Sequence, residues 1–208
     1  MKEKIILLIS SLISISFFWI FSIIVKKDIL TSFDFDLTVI IQDHIPKSID
    51  AFLSTLSLIG SFEILGLILI AVLLLRKKPS GFLILVIFMI AHLIEILGKA
   101  FITHPGPPFL FARYSFSFVF PTSYVQPGFS YPSGHSLRIV FLAVILLYII
   151  IISKKLSQNR KYFYNFCIVL FTFLMLLTRV SLGEHWTTDV IGGSLLGLGF
   201  GLLSLIFI

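Results

Sequence analysis

Long runs of apolar residues with few or no charges divide the chain into segments that are long enough to cross a membrane. A helix needs about 20 mostly apolar residues to span a bilayer. Six such runs occur, at residues 5–25, 51–75, 81–98, 137–152, 162–178 and 190–208. The fourth and fifth are short, so we expect them to extend into their flanks. The pattern predicts an all-α polytopic membrane protein, a six-transmembrane-helix bundle in which residues 1–208 form a single membrane-embedded domain.

The first run also has to be compared with a secretory signal peptide. Its uncharged stretch is longer than the roughly 7–15 apolar residues of a signal peptide. No small-x-small cleavage site follows, and the next residues are Lys26, Lys27 and Asp28. We therefore interpret it as a retained first span.

The distribution of cations between alternate loops predicts the orientation. The N-terminus and the loops at 76–80 and 153–161 hold nine Lys and Arg residues, whereas the loops at 26–50, 99–136 and 179–189 with their helix ends hold seven. Four of these seven lie beside the candidate functional residues described below. The first set is therefore predicted to be cytoplasmic and the second to face outward, in a multi-pass protein of the cell membrane.

Composition narrows the function classes. Hydrophobic residues make up 58% of the chain and charged residues 12%, against roughly 25% charged in an ordinary soluble domain. This excludes a soluble globular enzyme, a disordered chain and a nucleic-acid-binding domain. The net charge of +6 is better explained by cationic loops on a membrane protein than by a polyanionic partner. The single cysteine, Cys167, excludes an internal disulfide and a zinc ribbon.

Two further patterns concern packing and the membrane boundary. Six of the eight prolines fall between residues 105 and 132, so this segment is not a helix interior. Its aromatic residues Tyr114, Phe116, Phe118 and Phe120 alternate, which is typical of an extended chain. They suit a belt at the lipid headgroups, or a wall along which an acyl or prenyl chain enters.

In the last run, glycines 193, 197 and 201 lie on one helical face and predict close helix packing.

Ionisable residues beside the predicted spans converge on one side of the membrane. Lys99 ends the third span and Arg179 the fifth, while His135 opens the fourth and His185 and Asp189 open the sixth. The parity of the spans places all five at the same face. Ionisable groups in such positions are costly and commonly functional.

The spacing of these residues indicates a chemistry. His185 and Asp189 are four residues apart at a helix start, so the carboxylate can accept a proton from one ring nitrogen and leave the other free as base or nucleophile. A polar pair that only satisfies a helix end is the alternative. Pro132-Ser133-Gly134-His135 is a turn that feeds a helix, where free N–H groups attract anions.

Lys99 and Arg179 supply cations for a phosphate. Glu95 and His92 lie on the face of Lys99 and are interpreted as a polar seam that neutralises it. Together the groups indicate phosphoryl transfer through a covalent nucleophile. The acidic residues Asp34, Asp36, Asp43 and Asp50 are spread along one loop, so we predict no catalytic metal and no cofactor.

These motifs resemble those of the type-2 phosphatidic-acid phosphatase superfamily of integral membrane lipid phosphatases. That family shows Lys-x6-Arg-Pro, Pro-Ser-Gly-His and Ser-Arg-x5-His-x3-Asp. The second motif is intact at 132–135, and the third reads Thr178-Arg179-x5-His185-x3-Asp189, with Thr for Ser. The first begins at Lys99 and its proline falls at Pro107, but the arginine position holds Gly106.

The resemblance implies a metal-free six-helix enzyme and a role for each matched residue. His185 is expected to attack phosphorus and form a phosphohistidine, Asp189 to hold its ring, and His135 to protonate the leaving group. Lys99, Arg179 and the backbone of Ser133 and Gly134 are expected to bind the phosphoryl oxygens.

The arginine that the first motif lacks raises the question of what replaces it. Arg138 is one helical turn from His135, Arg113 lies in the outer loop, and His104 is two residues from Gly106. Arg138 ranks first as a further substrate-binding residue, because an arginine near the mouth of a span needs an anionic partner. Its alternative role is to extend to the membrane interface.

The predicted function is a membrane lipid phosphatase whose substrate is phosphatidate, phosphatidylglycerophosphate or a polyprenyl diphosphate. Its partners are this lipid phosphate and the surrounding membrane lipids, with no nucleic acid and no obligatory protein partner. The alternatives are a lipid phosphotransferase with the same site, and a catalytically impaired homologue that binds lipid.

Overall fold

Helices account for most of the protein. The computed structural model describes residues 2–118, 120 and 128–208, which form eight α-helices and no β-strand. In chain order they are α1 (Lys2–Lys26), α2 (Thr31–His44), α3 (Asp50–Ile59), α4 (Phe62–Arg76), α5 (Gly81–Phe101), α6 (Gly134–Ile152), α7 (Gln158–Ser181) and α8 (Thr187–Leu205). Short 3₁₀ turns occur at Lys47–Ile49 and Phe109–Phe111.

The long helices match the predicted membrane spans. Within the described residues, five helices (α1, α5, α6, α7 and α8) are long and apolar enough to cross a bilayer, and the bent pair that ends in α4 makes a sixth. The outer helices expose large apolar side chains such as Trp19, Phe82 and Phe166, as is expected of surfaces that face lipid. The prediction of an all-α multi-pass bundle is confirmed.

The second predicted span is not one continuous helix, which corrects the sequence interpretation. Residues Lys47–Ile59 and Phe62–Arg76 are bent by 53° about a break. The amide of Gly60 closes α3 on the Leu56 carbonyl at 3.2 Å, and the Ser61 hydroxyl starts α4 by accepting from the Ile64 amide at 3.3 Å. A serine N-cap starts a new helix even inside an apolar run.

The segment 26–50, expected to be a loop, contains the helix α2. This helix buries Asp34 and Thr38 and exposes Phe33 and Phe35. Asp34 accepts hydrogen bonds from the amide of Thr188 at 2.8 Å and from its hydroxyl at 2.6 Å. The helix is therefore attached to the start of α8, beside the candidate catalytic residues.

The helices α6 and α8 form the centre of the bundle. A Cβ added at Gly197 would collide with the backbone carbonyl of Leu137, and one at Gly201 would lie 3.0 Å from the Val144 Cβ. The predicted glycine face therefore packs closely, and its neighbour is α6. On the other side, α1 is bound to α8 because the Ser11 and Ser14 hydroxyls donate to the Gly199 and Leu195 carbonyls, each at 2.8 Å.

The proline-rich connection between α5 and α6 is non-helical over its described part, apart from the Phe109–Phe111 turn, as predicted. Pro121 and Pro127 lie outside the described residues. The alternating rings of Tyr114 and Phe116 have centroids 5.9 Å apart, and those of Phe118 and Phe120 are 5.2 Å apart. The role of this segment in lipid access stays a prediction.

Candidate active site

The ends of α5, α6, α7 and α8 meet and bring the predicted residues together. His185 lies in the turn between α7 and α8, and its Nδ1 is 3.2 Å from the Asp189 Oδ2. The same carboxylate oxygen accepts from the Trp186 amide at 2.9 Å and from the Ser130 hydroxyl at 2.7 Å. An acceptor at Nδ1 places the ring proton there and leaves a lone pair on Nε2.

The surroundings of His185 favour its neutral form. Burial holds the pKa of His185 well below its ordinary value, and the charges of Arg179, Lys99, Arg138 and His104 lower it further. The side chain is 7% exposed. A neutral imidazole with a free lone pair is the form that acts as a nucleophile.

His104 lies beside Asp189 and is near the carboxylate oxygen that His185 does not contact. Its Nε2 is 3.6 Å from the Asp189 Oδ1, 3.6 Å from the Asp34 Oδ2 and 3.2 Å from the Thr188 Oγ1. Burial lowers the pKa of His104, while the charge of Asp34 opposes this shift. Burial also raises the pKa of Asp34, and the hydrogen bonds from Thr188 lower it.

The structure therefore places His104 against two carboxylates. Sequence reasoning considered Asp34 only as a metal ligand and did not connect it with His185. The burial of Asp34 is a property of the packed helix and is not visible in the sequence.

One terminal nitrogen of the Arg179 guanidinium is bound by a carboxylate and a hydroxyl. Its Nη1 is 2.6 Å from the Glu184 Oε2 and also contacts the Ser57 hydroxyl. Ser57 in turn donates to the Glu184 Oε2 at 2.9 Å. The Nε of Arg179 is buried and has no hydrogen-bond partner among the described residues. Neither Ser57 nor Glu184 was predicted. Ser57 belongs to the site only through the position of α3, whereas Glu184 is five residues from Arg179 in the turn between α7 and α8.

Lys99 pairs with Glu95 as predicted. The Lys99 Nζ lies 3.0 Å from the Glu95 Oε1, and both side chains are buried. The His92 Nδ1 is 2.9 Å from the Phe88 carbonyl, and its ring packs against the rings of Phe88 and Phe62 at 4.4 and 5.0 Å. The interpretation of this face as a polar seam agrees with these contacts.

The Pro-Ser-Gly-His turn starts α6. The Ser133 hydroxyl caps the helix by accepting from the Ser136 amide at 3.4 Å. The Ser133 amide donates to the Asp189 carbonyl at 3.0 Å, so this N–H group links α6 to α8. Gly134 is buried, and a Cβ there would collide with the Glu95 carboxylate and lie 2.9 Å from the Arg138 Nη1.

The three candidates for the missing arginine occupy different places, and one of them, His104, lies beside Asp189 and Asp34 as described above. The Arg138 Nη2 is 3.1 Å from the His135 Nδ1, and its Nε donates to the Gly60 carbonyl at 3.2 Å. Arg113 is held by Asp50 at 2.6 Å and by the backbone carbonyls of Gln42 and Ile45. Gly106 is exposed.

His135 and the partners of Arg179 share a small cavity of about 30 Å³. It is lined by Ser57, Ser61, Tyr114, His135 and Glu184 among others. Among the described residues, no group of three or more His, Cys, Asp or Glu side chains is arranged to hold a metal ion. The cations in this region are those of Lys99, Arg138 and Arg179.

Comparisons with known proteins agree on one family. Residues 80–208 match the family model described as the PAP2 superfamily. The chain is 32% identical over 124 residues to phosphatidylglycerophosphatase B of Bacillus subtilis, covering 59% of this chain and 55% of that protein. It is 31% identical over 132 residues to an undecaprenyl-diphosphatase of Sulfolobus acidocaldarius, covering 62% and 55%. The matches thus span about half the length of these relatives.

Solved structures share the fold. A transmembrane PAP2-type phosphatidylglycerolphosphate phosphatase from Bacillus subtilis has a TM-score of 0.74 at 22% identity, covering 95% of this chain and 94% of that one. LpxE from Aquifex aeolicus has a TM-score of 0.61 at 24% identity, covering 82% and 93%.

Proposed function

Because this chain belongs to the PAP2 superfamily, we propose that it is an integral membrane phosphatase that hydrolyses a lipid phosphate or diphosphate. The observation that carries the proposal is the contact of 3.2 Å between the His185 Nδ1 and Asp189, beside the buried guanidinium of Arg179. A neutral histidine with an oriented ring, next to a cation that can hold phosphoryl oxygens, is a site for nucleophilic phosphoryl transfer.

The proposed reaction has two steps. The lone pair of the His185 Nε2 attacks phosphorus, and the P–O bond to the leaving group breaks as the P–N bond forms. The carboxylate of Asp189 then stabilises the positive charge of the phosphorylated ring. Arg179 and Lys99 stabilise the charge on the phosphoryl oxygens, and His135 gives a proton to the leaving oxygen. Water then gives a proton to His135 and attacks phosphorus, which breaks the P–N bond, releases phosphate and restores His185.

The substrate is proposed to be phosphatidate, phosphatidylglycerophosphate or a polyprenyl diphosphate. The two relatives are named for a phosphatidylglycerophosphate and an undecaprenyl diphosphate. The catalytic residues lie at the ends of apolar helices, where the headgroup of a bilayer lipid is found. A lipid phosphate therefore reaches them without leaving the membrane.

The test uses the purified protein in detergent, with phosphate release measured from each of the three lipids, with and without EDTA. We expect turnover that EDTA leaves intact and that His185→Ala abolishes. Phosphohistidine is expected to be trapped from labelled substrate in alkali and to be lost in acid. Absence of turnover on all three lipids would refute the phosphatase and favour a lipid-binding homologue.

A phosphotransferase is separated from a hydrolase by following the label. Phosphate that appears free in solution identifies water as the acceptor, whereas phosphate that appears in a new lipid product identifies a transferase. Both outcomes require His185, because the covalent step is the same.

We propose that the site faces the extracytoplasmic side, on the basis of the cations in alternate loops. The test replaces Cys167 by serine and adds one cysteine at Ser48, in the connection before α3, or at Ser157, in the connection before α7; both positions are exposed. A membrane-impermeant maleimide is expected to label the first variant in intact cells and the second only after permeabilisation. The reverse pattern would invert the topology.

A further inference from the structure

The two oxygens of the Asp189 carboxylate have unequal surroundings. Oδ2 accepts from the His185 ring at 3.2 Å and from the Trp186 amide and the Ser130 hydroxyl at 2.9 and 2.7 Å. Oδ1 is buried and has no hydrogen-bond partner among the described residues. It lies 3.6 Å from the His104 Nε2, which is too long for a hydrogen bond but short enough for a strong electrostatic effect. The state of His104 therefore bears directly on Asp189.

The hydroxyl of Thr188 determines which nitrogen of His104 carries a proton. Its Oγ1 donates to the Asp34 Oδ2 at 2.6 Å, and the Asp34 Oδ1 accepts from the Thr188 amide at 2.8 Å. A hydroxyl has a single proton. Toward the His104 Nε2, which is 3.2 Å away, the Thr188 oxygen therefore acts as an acceptor. It follows that the His104 Nε2 carries a proton.

This N–H group lies between two buried carboxylates. The His104 Nε2 is 3.6 Å from the Asp34 Oδ2 as well as from the Asp189 Oδ1. His104 is 5% exposed, Asp34 1% and Asp189 0%, so bulk water does not screen them. Two carboxylates that share such a site without a donor between them do not both remain ionised. The positive end of the N–H dipole faces both and reduces this cost.

The backbone also connects His104 to the candidate active site. The His104 carbonyl accepts from the Ser130 amide at 3.0 Å. The hydroxyl of the same serine lies 2.7 Å from the Asp189 Oδ2. His104 is thus fixed relative to Asp189 by its side chain and by its backbone.

We propose that His104 is a positioning residue that acts through Asp189: its Nε2–H group keeps the Asp189 carboxylate ionised, so that Asp189 holds the His185 ring and stabilises it when it is phosphorylated. His104 itself contacts neither the phosphate nor the reacting nitrogen. Asp34, bound by Thr188, is the second acceptor that aims the N–H group. The effect on turnover rests on the proposed function, whereas the position of the proton on His104 does not.

This role differs from the one that the sequence suggested for His104, which was to replace the arginine that is missing at Gly106. A phosphate group beside the His104 Nε2 would lie next to the carboxylates of Asp34 and Asp189, which repel an anion. The structure thus directs this nitrogen toward the acidic side of the site.

Kinetics with two replacements test whether the N–H group or the ring shape matters. The side-chain amide of glutamine carries an N–H donor near the position of Nε2, whereas phenylalanine retains the ring and has no donor. His104→Phe is expected to lower kcat about tenfold on an alkyl phosphate, with KM within about twofold of wild type, and His104→Gln to retain most of the activity. His44→Phe, at an exposed position on α2, is the control and keeps wild-type turnover.

The opposite order of activities would overturn the proposal. A phenylalanine variant at least as active as the glutamine variant would mean that His104 only fills space. A loss that appears in KM rather than in kcat would mean that His104 contacts phosphate. Thermal unfolding in detergent shows whether each variant is folded.

A double variant tests whether His104 acts through Asp189. In an Asp189→Asn background there is no carboxylate charge to stabilise, so His104→Phe is expected to add no further loss of kcat. Losses that multiply in the double variant would show that the two residues act independently, which contradicts the proposal.

The proton positions are measured by NMR of the full chain, labelled with ¹⁵N at histidine and held in detergent at neutral pH. His104→Gln and His185→Ala assign the two rings. In the wild-type protein we expect a proton on the His104 Nε2, and a His185 Nδ1 proton shifted far downfield by its carboxylate acceptor. In His104→Phe the His185 proton is expected to move upfield, because Asp189 is no longer fully ionised, whereas His44→Phe leaves it in place.

The NMR result separates this inference from the proposed function. A wild-type His104 without a proton on Nε2 overturns the inference without the use of any variant, even in an active enzyme, and so does a His185 proton that does not move in His104→Phe. A protein that shows both expected signals but hydrolyses no lipid phosphate refutes the phosphatase and supports the action of His104 on Asp189.

Discussion

Replacement of Asp189 by asparagine tests the central contact of the site. Asp189 is fully buried, and its Oδ2 accepts from the His185 Nδ1, the Trp186 amide and the Ser130 hydroxyl at 3.2, 2.9 and 2.7 Å. An alanine would leave the last two donors unpaired, which costs about 1–3 kcal/mol for each buried group. The amide of asparagine retains an acceptor for both, so Asp189→Asn is the more informative change.

The expected loss follows from the charge that is removed. A hydrogen bond to a charged group contributes about 1.5–3 kcal/mol, and the ring of His185 becomes cationic only when it is phosphorylated. Because about 1.4 kcal/mol corresponds to a factor of ten in rate, kcat is expected to fall by about 10- to 150-fold. The amide N–H group of asparagine can instead turn toward Nδ1. The ring proton of His185 then lies on Nε2, which loses its lone pair, and the fall in kcat is larger.

The assay is kcat on a saturating alkyl phosphate, with rapid-quench measurement of phosphohistidine formation. Thermal unfolding in detergent shows whether the variant is folded. Ser194→Ala is the control on the same helix, since its hydroxyl only donates to the Val190 carbonyl of α8, and it is expected to keep wild-type turnover. A folded Asp189→Asn protein with kcat within about twofold of wild type would refute the assignment of Asp189.

Four further predictions follow from other parts of the structure. Gly106→Arg, at the position where the resemblance expects arginine, is expected to raise turnover about tenfold, because a Cβ there meets only the Ser130 side chain, at 3.5 Å or more; unchanged kinetics would mean that this position does not reach phosphate. Burial and nearby cations hold the pKa of His185 well below 6.5, so the nucleophile is expected to stay neutral as the pH falls through that value. After the titration of the substrate is subtracted, a loss of kcat with its midpoint at pH 6.5 would contradict this. Dialysis against EDTA followed by assay in metal-free buffer is expected to retain full activity, and restoration by an added divalent cation would refute a metal-free reaction. Gly197→Val is expected to destabilise the bundle by about 1–3 kcal/mol or more, since its side chain meets the Leu137 carbonyl, and an unchanged unfolding temperature in detergent would contradict the close packing of α6 and α8.

The membrane fold could be predicted from the sequence because it depends on local quantities. Whether a segment enters the bilayer is set by the summed transfer free energy of about 20 consecutive residues, so the apolar runs were recognisable without knowledge of their neighbours. The parity of the spans then placed Lys99, His135, Arg179 and His185 at one end. The break at Gly60 was missed because the run 51–75 was assessed by its hydrophobicity, whereas a serine N-cap competes with helix continuation through a hydrogen bond.

The His185–Asp189 pair was also within reach of the sequence. Its two members are four residues apart at a helix start, and that spacing determines their proximity. By contrast, His104 was considered as a substitute for an arginine, while the structure places it between Asp34 and Asp189. The helix α2, which carries Asp34, was taken for part of a loop.

The spans, their alternation and the pairs of residues four apart on one helix face could be read from the chain, since they follow from composition and helical periodicity. The contacts between distant helices depend on the packed fold: Ser57 meets Arg179, and the Gly60 carbonyl meets Arg138. The physical reason is that a hydrogen bond requires two groups within about 3 Å, and for residues on different helices that distance depends on how the helices cross and where one of them breaks.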